Sequence, residues 1–434
     1  MFDVFSNPSA SEFVLESPPG DTHEPVSVAD LAPPPEVAIA AATAEQAATD
    51  ADATLAPPVP PTAEPPPETR ADQVLRRRLA SWTGQFTVDE PEPTVTWREG
   101  GQTYTAVLRR VPATDAMGME RLVVAVTTER DGQPLATELT MARMAFSSFA
   151  QFIDRWDPNV GLHDDVIDGR FHSNSEIHVS RERGVHPTFN GKVTVAAHEI
   201  RSDDTGYLNR RKLFPAGLEM NVRRIGLPKR DTAFDTNALP SGRVHRFERD
   251  AEIVFHADGS FASSPHDGAV DGESRALGEE PFYLVAADGV TLRVRGTVNG
   301  QVLVYSPESI VIVDDLTYAN DPQTQDANDY LNLVAERTIE IAEPAVTGTG
   351  DLTIHASIYA RQRFAVRSYL SRRSGTLAIL GSITAGSVSA TEPRYATTID
   401  FDERLATLRA PGFPLSDRYE LDEWNGEWRP VGDP

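Results

Sequence analysis

The stretch from 290 to 341 most constrains what this chain can become, because it reads as short β-strands with no room for helices between most of them. Val290-Thr291-Leu292-Arg293-Val294 is followed by Gly296 and by Asn299-Gly300. Then come Val302-Leu303-Val304-Tyr305, Ile310-Val311-Ile312-Val313, Leu331-Asn332-Leu333-Val334 and Thr338-Ile339-Glu340-Ile341. Each run is β-branched or aliphatic, about strand length, and closed by turn residues. A parallel crossover through a helix needs about a dozen residues, and most of these gaps are shorter. Short, closely spaced strands of this kind predict a sandwich, a barrel or a stacked coil of rungs. The spacing after 282 is irregular, which favours a coil of unequal rungs over a strict solenoid.

Composition narrows the function classes. The 434 residues carry a formal net charge of -25. Such a balance argues against nucleic acid as a partner, since phosphate binding needs a basic face. The absence of cysteine removes disulfides and thiolate metal sites. No run approaches the length and apolarity of a transmembrane helix. The start, Met-Phe-Asp-Val-Phe-Ser-Asn-Pro, lacks the basic and apolar regions of a signal peptide, so a cytoplasmic location stays open.

Residues 1–71 stand apart from the rest. The first 70 hold 14 of the 33 prolines, and 12 acidic residues against one basic residue, Arg70. Such a segment buries too little apolar surface to offset its ordering entropy, and reads as a disordered, partly extended tether. From 72 to 158 the pattern predicts a small α+β unit. Leu75, Leu79 and Trp82 recur at helical spacing behind Asp72 as N-cap. Strands follow over 95–97, 104–108, 121–128 and 135–144, with Asp131-Gly132 as a hairpin turn. From 159 to 434 the reading is a parallel β-helix-like stacked coil. Within it, an apolar helix is predicted around 214–225. The tail, with Phe413, Tyr419, Trp424 and Trp428, is expected to cap the coil's open end. The fold class expected is thus mainly β, a stacked coil preceded by a small α+β unit and a disordered N-terminal segment.

Candidate chemistry is sparse. Asp164, Asp165 and Asp168, with His172 nearby, form the densest polar group. Oxygen and imidazole donors in that pattern suit a metal, and paired carboxylates suit glycoside hydrolysis. Against this, Asp168-Gly169 has a turn signature, and aspartates there bond their own backbone. His172-Ser173-Asn174 supplies nucleophile and base types but no glycine-flanked elbow. The competing reading has Ser173 and Asn174 satisfying backbone groups in a coil. Asp321, Asp326 and Asp329 lie in a polar loop without the calcium-loop spacing. Arg361, Arg363, Arg367, Arg372 and Arg373 form a basic run that fits an acidic partner or solvated strand edges. No cofactor motif is present.

Several strings nevertheless carry a resemblance. Residues 144–195 contain Met-Ala-Phe-Ser-Ser-Phe-Ala-Gln-Phe-Ile-Asp, Val-Ile-Asp-Gly-Arg-Phe-His-Ser-Asn and Pro-Thr-Phe-Asn-Gly-Lys-Val-Thr. Further on come Asp329-Tyr330-Leu331-Asn332-Leu333-Val334-Ala335-Glu336, Gly381-Ser382-Ile383, Tyr395, Phe401-Asp402-Glu403-Arg404-Leu405 and Pro411-Gly412-Phe413-Pro414. Together these resemble PilX-like pilus-assembly, or minor-pilin-like, proteins, over about 140–420. Arg170-Phe171 replaces that pattern's proline-valine and Asn332 its glycine. The acidic, proline-rich segment stands where such proteins carry a basic tail and apolar anchor helix. The resemblance implies a non-enzymatic structural protein at the cell envelope or surface, with protein partners in a pilus or envelope assembly. The alternative from the residues alone is a polysaccharide-binding or polysaccharide-degrading β-helix, with Asp164, Asp165, Asp168, Asp314 or Asp315 along one face.

Overall fold

The computed structural model describes residues 94–431 apart from 100, 114–116, 181–183, 203–209, 230–233, 238, 266–273, 325–326 and 373–374. All of them belong to one compact unit, Glu64–Pro434. The expected tether and the 72–82 helix lie outside the described residues.

The first four described strands are β1 (Thr94–Glu99), β2 (Gln102–Val111), β3 (Arg121–Arg130) and β4 (Gln133–Ala145), paired antiparallel in sequence order. Asp131 and Gly132 join β3 to β4 with φ of 54° and 78°. Two successive positive φ values match the right-handed strand twist in a two-residue hairpin, which explains the Asp-Gly pair. One face of this sheet buries Leu108, Val124, Leu139 and Met141 against Tyr419.

The tail does not cap a coil. Leu415–Glu423 pairs antiparallel with β4, and Trp424 donates to Thr137 across the same sheet at 2.9 Å. Trp424 and Trp428 pack on the sheet's apolar face with Tyr419, while Phe413 is buried against the coil's flank beside Tyr359. The small sheet had an uncovered apolar face and an open β4 edge, and the aromatic tail satisfies both.

The remainder is a coil of parallel strands, laid down in an order the sequence does not announce. The chain enters the coil at Gln151–Ile153 and steps through Phe171–Ser173, Val193–Val195 and Leu218–Met220. It then runs back along the outside. Ile225 bonds Asn174, Pro228 accepts from Arg361, and Phe234 lies against Tyr305 and Tyr283. A second arm starts at Val244–Phe247 and steps through Phe282–Ala286, Gln301–Ser306 and Tyr330–Ala335, then the second halves of Leu352–Ala360 and Gly375–Ala385. That last strand pairs in parallel with Gln151–Ile153, and Tyr395–Phe401 with Val166–Asp168. The two arms therefore meet at a seam in the middle of the coil.

Alternation along these strands builds two ladders. Leu284, Val304, Leu333, Ile358, Ile383, Gln151, Phe171 and Val193 stand in register. All but Gln151 belong to the coil's apolar interior. One residue along, Val285, Tyr305, Val334, Tyr359, Thr384, Phe152, His172 and Thr194 point outward. The aromatic members are not solvated, because the return segment and the 402–414 stretch pack over them. At the second arm's start, Ser260–Pro265 folds antiparallel onto Ala251–His256 and occupies an edge that would otherwise stay open.

The predicted helix around 214–225 is absent. A one-turn helix, Arg210–Leu213, ends before Pro215, and Leu218–Met220 is a strand in register with Val193–Val195. Those apolar residues complete a rung instead of a helix face.

Candidate functional site

Among the described residues, a close group of donor atoms sits at the seam. Leaving Ile153, the chain loops outward and returns through Leu162, which bridges Val179 of the next rung. This sets His163, Asp164 and Asp165 beside 386–394, the link that closes the second arm. The His163 Nδ1 lies 3.3 Å from Glu392 Oε2. One donor atom each from His163, Asp164 and Glu392 falls within 4.8 Å of the others. The Asp165 Oδ2 accepts the His163 backbone N–H at 3.1 Å.

Electrostatics at the seam favour shared protons. Burial, with the Asp164 and Glu392 carboxylates adding to it, pushes the Asp165 carboxyl up to about 7. Glu392 is raised by burial and by Asp164, and His163 opposes the shift. A protonated carboxyl can donate to its neighbour, which is how two close carboxyls coexist. The mixed nitrogen and oxygen donors of His163, Asp164 and Glu392 could also hold a divalent cation. Beneath them lies a cavity of about 60 Å³ lined by Gln151, Trp156, Asp165, Phe364, Ile383 and Glu392 among others. A space of that size takes water rather than a sugar ring, since small-ligand pockets run to about 300–1,000 Å³.

The four residues singled out from the sequence are therefore split. Asp164 and Asp165 join the seam. Asp168 is exposed on another face of the coil, where its charge adds to the burial that raises Asp400. His172 is fully buried on the outward ladder, stacked on Phe152 with ring centroids 5.1 Å apart. Its Nδ1 meets Thr194 Oγ1 at 2.8 Å and its Nε2 meets Asn174 Oδ1 at 2.9 Å. Burial, reinforced by the Arg418 charge, lowers its pKa to about 4. Strand alternation separates the would-be triad, because Ser173 faces inward and spends its hydroxyl on the Ser175 carbonyl. Asn174 donates to the Ile225 carbonyl at 2.6 Å and accepts from the Ile225 N–H at 2.9 Å, clamping the return segment.

Other predicted groups are similarly spent on structure. Asp329 accepts from Gly300 N and from Asn320 N and Nδ2, and Asp321 accepts from Gln323 N. Asp326 and Arg373 lie outside the described residues. Asp315 accepts from Thr353 N, and Asp314 from Asp315 N. Arg361, Arg363 and Arg367 pair with Glu336, Asp157 and Glu340 of this chain. His163 and Glu392 escaped the sequence reading, since 229 residues of separation leave no spacing signal. So did Arg394, fully buried with its guanidinium donating to the Ala342 and Arg367 carbonyls at 2.7 Å.

No protein-family model matches the chain. No curated protein matches it either. Among solved structures it is similar to the crystal structure of the competence-associated pilin ComZ from Thermus thermophilus. That likeness covers 82% of this chain and 94% of the pilin chain, at 11% identity and a TM-score of 0.36. The likeness is too loose to define a common fold. Among the described residues no helix is long and apolar enough to cross a membrane.

Proposed function

We propose that this is a non-enzymatic structural protein of the cell envelope or surface, acting with protein partners in a pilus or envelope assembly. One observation carries the reading: the residues that make the chain resemble pilus-assembly proteins are engaged in holding the coil together. Asn174 clamps the return segment. Pro411 of the closing motif accepts at 3.0 Å from buried Asn332, which stands where the pattern has glycine, and so ties the closing segment to the outer ladder. Asp402 holds Arg404, which reaches the Asp329 carbonyl at 3.1 Å. A motif set used this way specifies an architecture, and the resemblance gives that architecture its setting. The seam carboxylates sit over a cavity too small for a sugar ring, which supports a scaffold role over sugar cleavage at that site.

The test is affinity capture of the full chain from detergent-solubilised envelopes of its source cells, after cross-linking. Recovery of pilin subunits or envelope assembly proteins is expected. Recovery of the chain alone, as a monomer, would overturn the proposal.

A further inference from the structure

A groove of about 540 Å³ lies where the small antiparallel sheet meets the outer face of the first arm. Its volume falls in the range of about 300–1,000 Å³ that small-ligand sites occupy. Met141 and Leu421 line the sheet side, and Phe149 and Val222 supply apolar wall nearby. Three cations line it too: Arg170 and Lys192 on the coil side, and Arg418 on the Leu415–Glu423 strand that also carries Leu421. Two carboxylates are present, and both are already engaged. Glu420 takes Arg170 at 2.6 Å and Glu219 takes Lys192 at 3.0 Å. Arg418 is left over. Its backbone N–H donates to the Ser416 hydroxyl, but its guanidinium has no hydrogen-bond or ion-pair partner among the described residues. His172, close enough to feel that charge, has both ring nitrogens committed to Thr194 and Asn174.

The chain as a whole is strongly acidic, so a groove with a surplus cation runs against the general field. A half-buried guanidinium without a partner is costly, and two oxygens of a carboxylate or phosphate match its fork with two parallel hydrogen bonds. The apolar wall suits a ligand with a hydrocarbon side as well as a charged end. We propose that this groove binds a small ligand bearing a carboxylate or phosphate, with Arg418 as the anion-binding residue and Arg170 and Lys192 flanking it. This site is independent of the assembly role, and nothing in the motif resemblance requires it.

Three hexoses isolate the charge: glucose, glucuronate and glucose 6-phosphate, each titrated calorimetrically into the full chain at low salt. Both charged sugars are expected to bind at least about tenfold more tightly than glucose, and the tighter of the two identifies carboxylate or phosphate as the preferred group. Added salt should weaken the binding, as screening predicts. Arg418→Gln should lose at least about tenfold of it. Arg372→Gln, an exposed arginine away from the groove, should leave it unchanged. Arg418→Lys keeps the charge without the fork and should fall between wild type and Arg418→Gln. Thermal melting of each variant shows that it is folded. Equal affinity for glucose and the charged sugars, unchanged affinity in Arg418→Gln, or no binding by any of the three at about 10 mM would each overturn the proposal.

Discussion

Ile383 and Gln151 are backbone partners in a parallel ladder, although the whole second arm and the return segment lie between them in sequence. Their pairing is the seam that turns two arms into one coil. Gln151 is the polar member of an otherwise apolar interior ladder, and its Oε1 is buried without a protein partner beside the seam cavity. Replacing it removes an unsatisfied acceptor and extends the apolar stack into the seam cavity. Gln151→Leu should therefore raise stability by about 1–2 kcal/mol in urea unfolding. A loss of stability would mean that the amide has a partner worth more than its burial costs.

Asn174 should be among the most costly side chains to truncate. Its amide group mimics a strand, satisfying both the N–H and the carbonyl of Ile225 and also Nε2 of His172. Asn174→Ala strands these groups and is expected to cost about 2–4 kcal/mol. Hydrogen exchange at the Ile225 amide should accelerate more than exchange in the second arm's strands. Uniform acceleration would show that the return segment is not a separately clamped element.

Two glycines offer a contrast. A Cβ on Gly191 would sit 1.8 Å from the Gly169 carbonyl oxygen, so the corner between successive rungs tolerates no side chain. Gly350 has open space around the same position and no positive φ. Gly191→Ala is expected to cost more than about 3 kcal/mol. Gly350→Ala should be neutral or stabilising by up to about 1 kcal/mol, because it restricts the unfolded chain. Equal melting shifts in the two variants would contradict the rung spacing.

Two buried groups oppose each other in acid. Asp165 has a folded pKa of about 7 against an ordinary 3.8. The stability it contributes is complete below its unfolded value and is lost as pH rises towards about 7. His172 has a folded pKa of about 4 against 6.5. Its contribution is present above 6.5 and is lost as pH falls towards about 4. Asp165→Asn removes the first slope and leaves the second. The variant's stability should then rise with pH between about 4 and 6.5 more steeply than the wild type's. Parallel profiles would place Asp165 in an ordinary, solvated environment.

Much of the architecture is legible in single strings. Runs such as Val302-Leu303-Val304-Tyr305 carry alternate residues for an apolar interior and a covered outer ladder, so they read as strands buried on both faces. Asp131-Gly132 marks its hairpin because two positive φ values leave few residue choices. The arm order is not legible, because rung-to-rung pairing of Ile383 with Gln151 depends on shape complementarity across the whole chain. The 214–225 stretch misleads because its apolar residues fit a helix period by count, while Pro215 and Gly217 break it. The tail misleads because its aromatics announce burial without saying on which surface. At the candidate site, Asp164 and Asp165 were visible as a cluster, whereas Glu392 is brought to them by coil closure alone.

The scaffold role proposed for the coil requires the chain to reside with an envelope or pilus assembly. Its most direct test is immunodetection of the native chain in source cells after mechanical shearing and fractionation into sheared surface material, envelope and cytosol. The chain should be recovered with the sheared material or the envelope and be released from it by denaturant but not by salt. Recovery of essentially all of the chain as a free monomer in the cytosol would contradict it.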